Sequence, residues 1–310
     1  MYVNAEDVGW RPFLDSWVSG LPATLRGGLG ALVAKYTEPI LAEAARPGST
    51  WGGGGLAPTP PIAHVTTLTR LVGAVLAKWM EGGDSSPAPS TFSSPPPSSR
   101  LLEAHFAWAA AWAFGGGLAC DPPPGSPPGT PSPSASFSAW WAFEWGRPGG
   151  GAPLPAGVSI FECVVDESVG GLVPVGKAGG AIVALPTPSS SPADPYAPLV
   201  QPLSAAVVGA ANYLPGTAPI TPTSLSTARA HVARLLLGAG CPVALVGPAG
   251  CGKSGALRSV FRDLQAEADG AILSAAIPCH AGTGAAAVQA ALESRLEKRA
   301  GTRWGPVAGA

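Results

Sequence analysis

Apolar residues recur at helical spacing in the first third of this chain. From Ile62 to Met80, the residues Ile62, Val65, Leu68, Val72, Val75, Leu76 and Trp79 fall on one face, which predicts an amphipathic helix. Leu101 to Phe114 predicts a second helix, stopped by Gly115-Gly116-Gly117. Between Arg26 and Arg46 the same spacing is kept by Leu29, Leu32, Val33, Tyr36, Ile40 and Leu41, with a break or kink expected near Pro39. The most apolar run, His105 to Ala119, falls short of the roughly 20 residues that cross a bilayer and holds three consecutive glycines. It reads as a buried helix.

Between these stretches the pattern breaks down. Residues 51–61 read as a linker, and residues 82–99, 121–137 and 186–198 as disordered Pro/Ser/Gly-rich inserts. An aromatic cluster follows at Phe137, Trp140, Trp141, Phe143 and Trp145. Without a Lys or Arg among these residues it fits a packing core better than a platform for nucleic-acid bases. Val158 to Val165 is rich in β-branched residues and predicts a strand.

The pattern changes from about residue 216. Ser226 to Leu237 predicts a helix, Pro242 to Val246 a buried parallel strand, and Gly252 to Ala268 another helix. Ala271 to Ile277 predicts a second strand, and Gly284 to Arg299 a long helix carrying Val288, Leu292 and Leu296. This order opens a doubly wound α/β domain. Two domains are expected, a mainly helical one over residues 1–215 and an α/β one over residues 216–310.

Composition narrows the function classes. The 310 residues carry a net charge of −1, which offers no basic patch for nucleic acid. Charged residues make up 12%, about half the usual share, while 42 Gly and 36 Pro together make about a quarter of the chain. The five cysteines form no CxxC pair, so neither a zinc site nor a disulfide framework is expected, and reduced cytosolic thiols are. The N-terminus, Met1 to Asp7, lacks the basic and apolar regions of a secretory signal.

One motif carries chemistry. Gly247-Pro248-Ala249-Gly250-Cys251-Gly252-Lys253-Ser254 fits the pattern GxxxxGK[ST]. Its glycines let backbone N–H groups turn inward around phosphate oxygens, and the following helix points its positive end at the same anion. Lys253 is expected between the β- and γ-phosphates, with the Ser254 hydroxyl on a magnesium ion. ATP and Mg2+ are the expected ligands. Cys251 lies inside the loop, so alkylating it is expected to block nucleotide binding. Hydrolysis also needs an acidic residue at the end of a second strand, but residues 271–277 run into Pro278-Cys279-His280. His280 is expected to be structural, and no residue is assigned as catalytic.

Several blocks, in order, resemble the motor region of dynein heavy chains. Tyr2-Val3-Asn4, Asp7 to Phe13 and Ser16-Trp17-Val18 resemble part of that family's second AAA+ module. Phe106-Ala107-Trp108, Trp112 to Gly116, the Trp140-Trp141 pair and Leu154 to Val164 are similar to later parts of it. Thr221-Pro222-Thr223 with Thr227-Ala228-Arg229 resembles the lead into the third module, and the phosphate loop follows at the expected distance. Glu293 to Arg299 with Trp304-Gly305-Pro306 is like the stretch before that module's acidic strand. Ser226 and Cys251 depart from the pattern, which prefers Asp and Thr there.

The resemblance implies an α/β P-loop NTPase (AAA+) partial domain, preceded by a mainly α-helical region with the inserts described. It further implies a regulatory ATP site in a ring motor, with the acidic strand, sensors and microtubule-binding stalk beyond Ala310. Expected partners are the rest of the dynein ring, other dynein subunits and the microtubule, with no nucleic acid and no membrane. The expected location is the cytoplasm and cytoskeleton, leaning to the axoneme of a cilium or flagellum. Two other readings remain at this point: a free-standing P-loop NTPase or kinase with an unrelated N-terminal domain, and a Pro-rich non-enzymatic scaffold.

Overall fold

Short helices open the chain. In the computed structural model, which describes residues 9–80, 97–147, 149–177, 223–268, 272, 274–294, 296–300 and 303–306, helix α1 spans Arg11–Ser19. Pro12 lies in its first turn, where a missing N–H costs nothing. Helix α2 (Ala23–Leu32) runs into one wide π-helical turn, Val33–Thr37, before α3 (Glu38–Ala45). The break expected near Pro39 takes this form: Pro39 has no N–H for the i→i−4 ladder, and the wide turn directly precedes it.

Helices α4 (Pro61–Met80) and α5 (Ser99–Gly115) form the centre of the first compact unit, Met1–Cys251. α4 buries Val65, Leu68, Leu71, Val72 and Leu76 on the face that the periodicity marks. His64 Nδ1 donates to the Ala113 carbonyl at 2.9 Å and its ring stacks on Phe114, which ties α4 to the end of α5. The Ser98 hydroxyl caps α5 by accepting from Leu101 N–H. Residues 51–61 are not a free linker. Trp51 is buried, Leu56 N–H donates to the Gly117 carbonyl at 3.0 Å, and Ala119 N–H donates to Gly54 at 2.9 Å.

Helix α6 (Pro133–Glu144) starts inside the stretch expected to be a disordered insert. Ser132 caps it and Pro133 fits its first position, so residues 133–137 are helical and Phe137 is fully buried. The inserts at 82–96 and 186–198 lie outside the described residues, as do residues 1–8 of the resemblance. Phe137, Trp141 and Trp145 enter the core with Tyr36, whose ring stacks on Trp141 at 5.9 Å. Phe143 departs from the cluster: it is 63% exposed, with the Arg147 guanidinium 4.0 Å over its ring.

Only part of the strand expected over Val158–Val165 forms. Ile160–Glu162 is a 3-10 turn, and β1 (Cys163–Asp166) pairs antiparallel with β2 (Gly171–Pro174), Val164 opposite Val173. Trp108 Nε1 donates to the Cys163 carbonyl at 2.9 Å and so fixes β1 against α5. A partly exposed polar clip holds the π-helical turn to α5, where both Lys35 and the Tyr36 hydroxyl reach Glu103. Burial, with Glu103 alongside, pushes the Tyr36 hydroxyl pKa far above its ordinary value.

Helix α7 (Ser224–Gly238) packs on this unit through Ala228 and Leu236. His231 meets the Trp108 ring at 5.7 Å, and the Arg229 guanidinium reaches the Cys120 sulfur at 2.8 Å.

The second unit, Gly252–Ala310, holds helix α8 (Lys253–Glu267), helix α9 (Ala285–Glu293) and a hairpin of β3 (Leu296–Ala300) with β4 (Arg303–Pro306). The long helix expected to reach Arg299 stops at Glu293. α9 buries none of its residues, and the chain beyond it pairs instead, Lys298 opposite Trp304. The two strands expected before and after α8 do not form among the described residues. Residues 242–246, and 272 with 274–277, belong to no sheet among the described residues, because a strand needs a neighbour to satisfy its N–H and C=O groups. No described helix is long and apolar enough to cross a membrane.

Two measurements test this core. A Cβ on Gly115 would stand 2.6 Å from Phe161 and 2.7 Å from Phe137, whereas one on Gly73 in α4 meets nothing within 4 Å. Gly115→Ala should destabilise the first unit by about 1–3 kcal/mol, and Gly73→Ala should stabilise it by roughly 0.5–1 kcal/mol. Tryptophan fluorescence during urea unfolding reads this unit, which holds nine of the ten tryptophans. Equal midpoints for the two variants would contradict the packing described.

The second measurement concerns His105, which is 6% exposed with neither ring nitrogen hydrogen-bonded to protein. Burial pushes its pKa from 6.5 to about 4, nearby Glu167 partly opposing the shift and Lys78 adding to it. Above pH 6.5 the imidazole is neutral in both states and contributes no pH dependence. Between pH 6.5 and 4 the unfolded chain takes up a proton that the folded chain refuses, so stability falls, by up to about 3 kcal/mol. His231, lowered to about 4 mainly by burial, acts in the same direction. His105→Leu should show a smaller loss over this window than the parent, and an identical loss would assign the titration elsewhere.

Candidate functional site

The approach to the loop is fixed by helix α7. Thr223 and Ser226 close a reciprocal capping box: the Thr223 hydroxyl accepts from Ser226 N–H at 3.2 Å, and the Ser226 hydroxyl accepts from Thr223 N–H at 2.8 Å. Ser226, which departs from the family pattern, thus does locally what an acidic side chain at that position would do. At the other end Gly240 takes a left-handed φ of +69°. Its N–H donates to Leu237, and Cys241 N–H donates to Leu236 at 2.8 Å. This is a Schellman stop, which reverses the chain without leaving the last carbonyls unpaired.

Residues 241–246 then belong to no helix or strand. Cys241, Val243 and Leu245 are half-buried while Pro242, Ala244 and Val246 are exposed, the alternation of a pleated strand with one face covered. Val243 and Cys241 pack on the core of the first unit. Gly247 is half-buried, and Pro248, Ala249 and Gly250 are exposed. The boundary between the units falls after Cys251.

The backbone of the loop is set by two glycines. Gly250 has φ +81° and Gly252 φ +85°, the left-handed region that a side chain rarely adopts. Gly252 is the residue before α8, and its carbonyl accepts from Ala256 N–H at 2.9 Å. No side chain caps this helix start, and no acidic residue lies in its first turn. Its positive end therefore has no carboxylate of its own there to offset it. Lys253 is half-buried in the first turn, Ser254 is exposed beside it, and Cys251 is exposed ahead of it. Of the eight positions expected to hold the phosphates, Gly247 to Ser254, the two glycines at 250 and 252 make the turn and Lys253 and Ser254 open the helix.

In the stretch after α8, none of the described residues 272 and 274–280 is acidic. Gln265 Nε2 donates to the Ile272 carbonyl at 2.9 Å, which fixes the stretch after α8. That stretch leads into Pro278, Cys279 and His280. His280 closes a turn: Gly282 N–H donates to its Nδ1 at 3.1 Å, its own N–H donates to the Thr283 hydroxyl, and its carbonyl accepts from Thr283 N–H. Those bonds give it a structural role. Among the described residues no three His, Cys, Asp or Glu side chains form a metal-binding group. Of the residues the motif supplies, Ser254 alone carries a side-chain oxygen for a metal, and one hydroxyl does not make a metal site.

Comparison with known proteins covers both halves of the chain. Residues 214–310 match the family described as the P-loop containing dynein motor region. Over 309 residues the chain is 26% identical to the dynein beta chain of the flagellar outer arm from Chlamydomonas reinhardtii. It is 28% identical over 308 residues to dynein axonemal heavy chain 11 of Sus scrofa, and 25% identical over 307 residues to the ciliary dynein beta chain of Heliocidaris crassispina. Each alignment covers 99% of this chain and 6% of the relative. Because these alignments run through the N-terminal helical region as well as the loop, the reading with an unrelated N-terminal domain loses its support. Along its length the chain is similar to dynein heavy chains, and residues 214–310 match the P-loop containing dynein motor region.

Proposed function

We propose that residues 247–254 bind the phosphates of ATP together with Mg2+, as the first half of a regulatory nucleotide site in a dynein motor ring. The observation that carries this reading is the pair of left-handed glycines, Gly250 and Gly252, set directly before the uncapped N-terminus of α8. In that setting Lys253 pairs with the β- and γ-phosphates and Ser254 gives its hydroxyl to the metal. The ring would use this site to tune ATP-driven movement along microtubules, an allosteric role between modules. The relatives are named as axonemal, flagellar and ciliary chains, which favours the axoneme of a cilium or flagellum as the place of action. Other parts of the ring, other dynein subunits and the microtubule are the proposed partners. The proposed division is a helical part over residues 1–215 and a P-loop part over residues 216–310.

Titration with a fluorescent ATP analogue in the presence of Mg2+ tests the site. Lys253→Ala removes a charge-assisted contact worth about 1.5–3 kcal/mol, so affinity should drop roughly 10- to 100-fold. Unchanged affinity would place the nucleotide elsewhere or nowhere on this chain. The parent chain should bind weakly and release no phosphate. Turnover at ordinary enzymatic rates would sink the half-site reading.

Cys251 supplies a second, independent measurement. The thiol is exposed between Gly250 and Gly252, so an alkyl group on it intrudes where the phosphates would lie. Complete alkylation should abolish nucleotide binding in the parent and leave Cys251→Ser unaffected. Equal affinity before and after labelling at Cys251, verified by mass spectrometry, would refute the placement.

A further inference from the structure

We draw no further inference here: the strongest candidate, the open groove of about 680 Å³ between α6 and residues 154–162 with Cys120 and Leu225 at its edge, is an unpartnered and mostly apolar face, and nothing in the structure shows what covers it.

Discussion

Helix α5 is apolar around its whole circumference, and the first unit is organised by the need to cover it. Every residue from Ala104 to Gly115 is buried, with six alanines among them. A helix of this kind is stable in water only when other elements enclose it. α4 covers one side, β1 and β2 another, and the π-helical turn and α6 close the rest. The alanines let these neighbours approach closely, and at Gly115 even a methyl group would collide with Phe137 and Phe161. Burying an aromatic side chain of the size of Trp108 or Phe106 removes about 150–250 Å² from water and stabilises by about 4–6 kcal/mol. An exposed ion pair such as Lys78 with Glu167 contributes at most about 1 kcal/mol. The packing of α5 therefore decides where the other elements go, and the surface charges follow.

The second unit rests on much less. α8 buries Val260 and Leu264, while α9 buries nothing and leaves Leu292 half-exposed. A two-stranded hairpin is marginal in water without a sheet or helix to cover it. The geometry of the phosphate loop survives in this setting because it is local. It depends on the left-handed φ of two glycines and on the start of one helix, not on a sheet behind them.

That contrast explains what could be read from the sequence. Helices α4, α5, α7 and α8 were legible because a 3.6-residue period and capping residues are properties of the segment itself. The strands at 242–246 and 271–277 were not, because an apolar run specifies a strand only together with its neighbour, and no neighbour pairs with either among the described residues. The helix over Gly284–Arg299 was overextended by Leu296, which keeps helical spacing with Val288 and Leu292 but belongs to β3. The start of α6 was hidden by composition, since Ser132 and Pro133 look like the insert before them yet are good starting residues for a helix. Phe143 could not be told from its aromatic neighbours without knowing which face of α6 meets the core. The loop could be proposed from the sequence because its motif resides in consecutive residues.

At the loop, binding and hydrolysis separate on electrostatic grounds. The start of α8 offers groups whose sign attracts an anion, its backbone N–H groups and the Lys253 ammonium, with no acidic residue in its first turn. Cleaving a phosphoanhydride asks for the opposite element as well, a carboxylate that helps hold the metal or orients water. His280, which follows the stretch after α8, is committed to holding a tight turn through Gly282 and Thr283. It could serve as a base only by giving up the bond at Nδ1 that orders its own loop. Of these two elements, the described residues at the loop supply the one that attracts an anion.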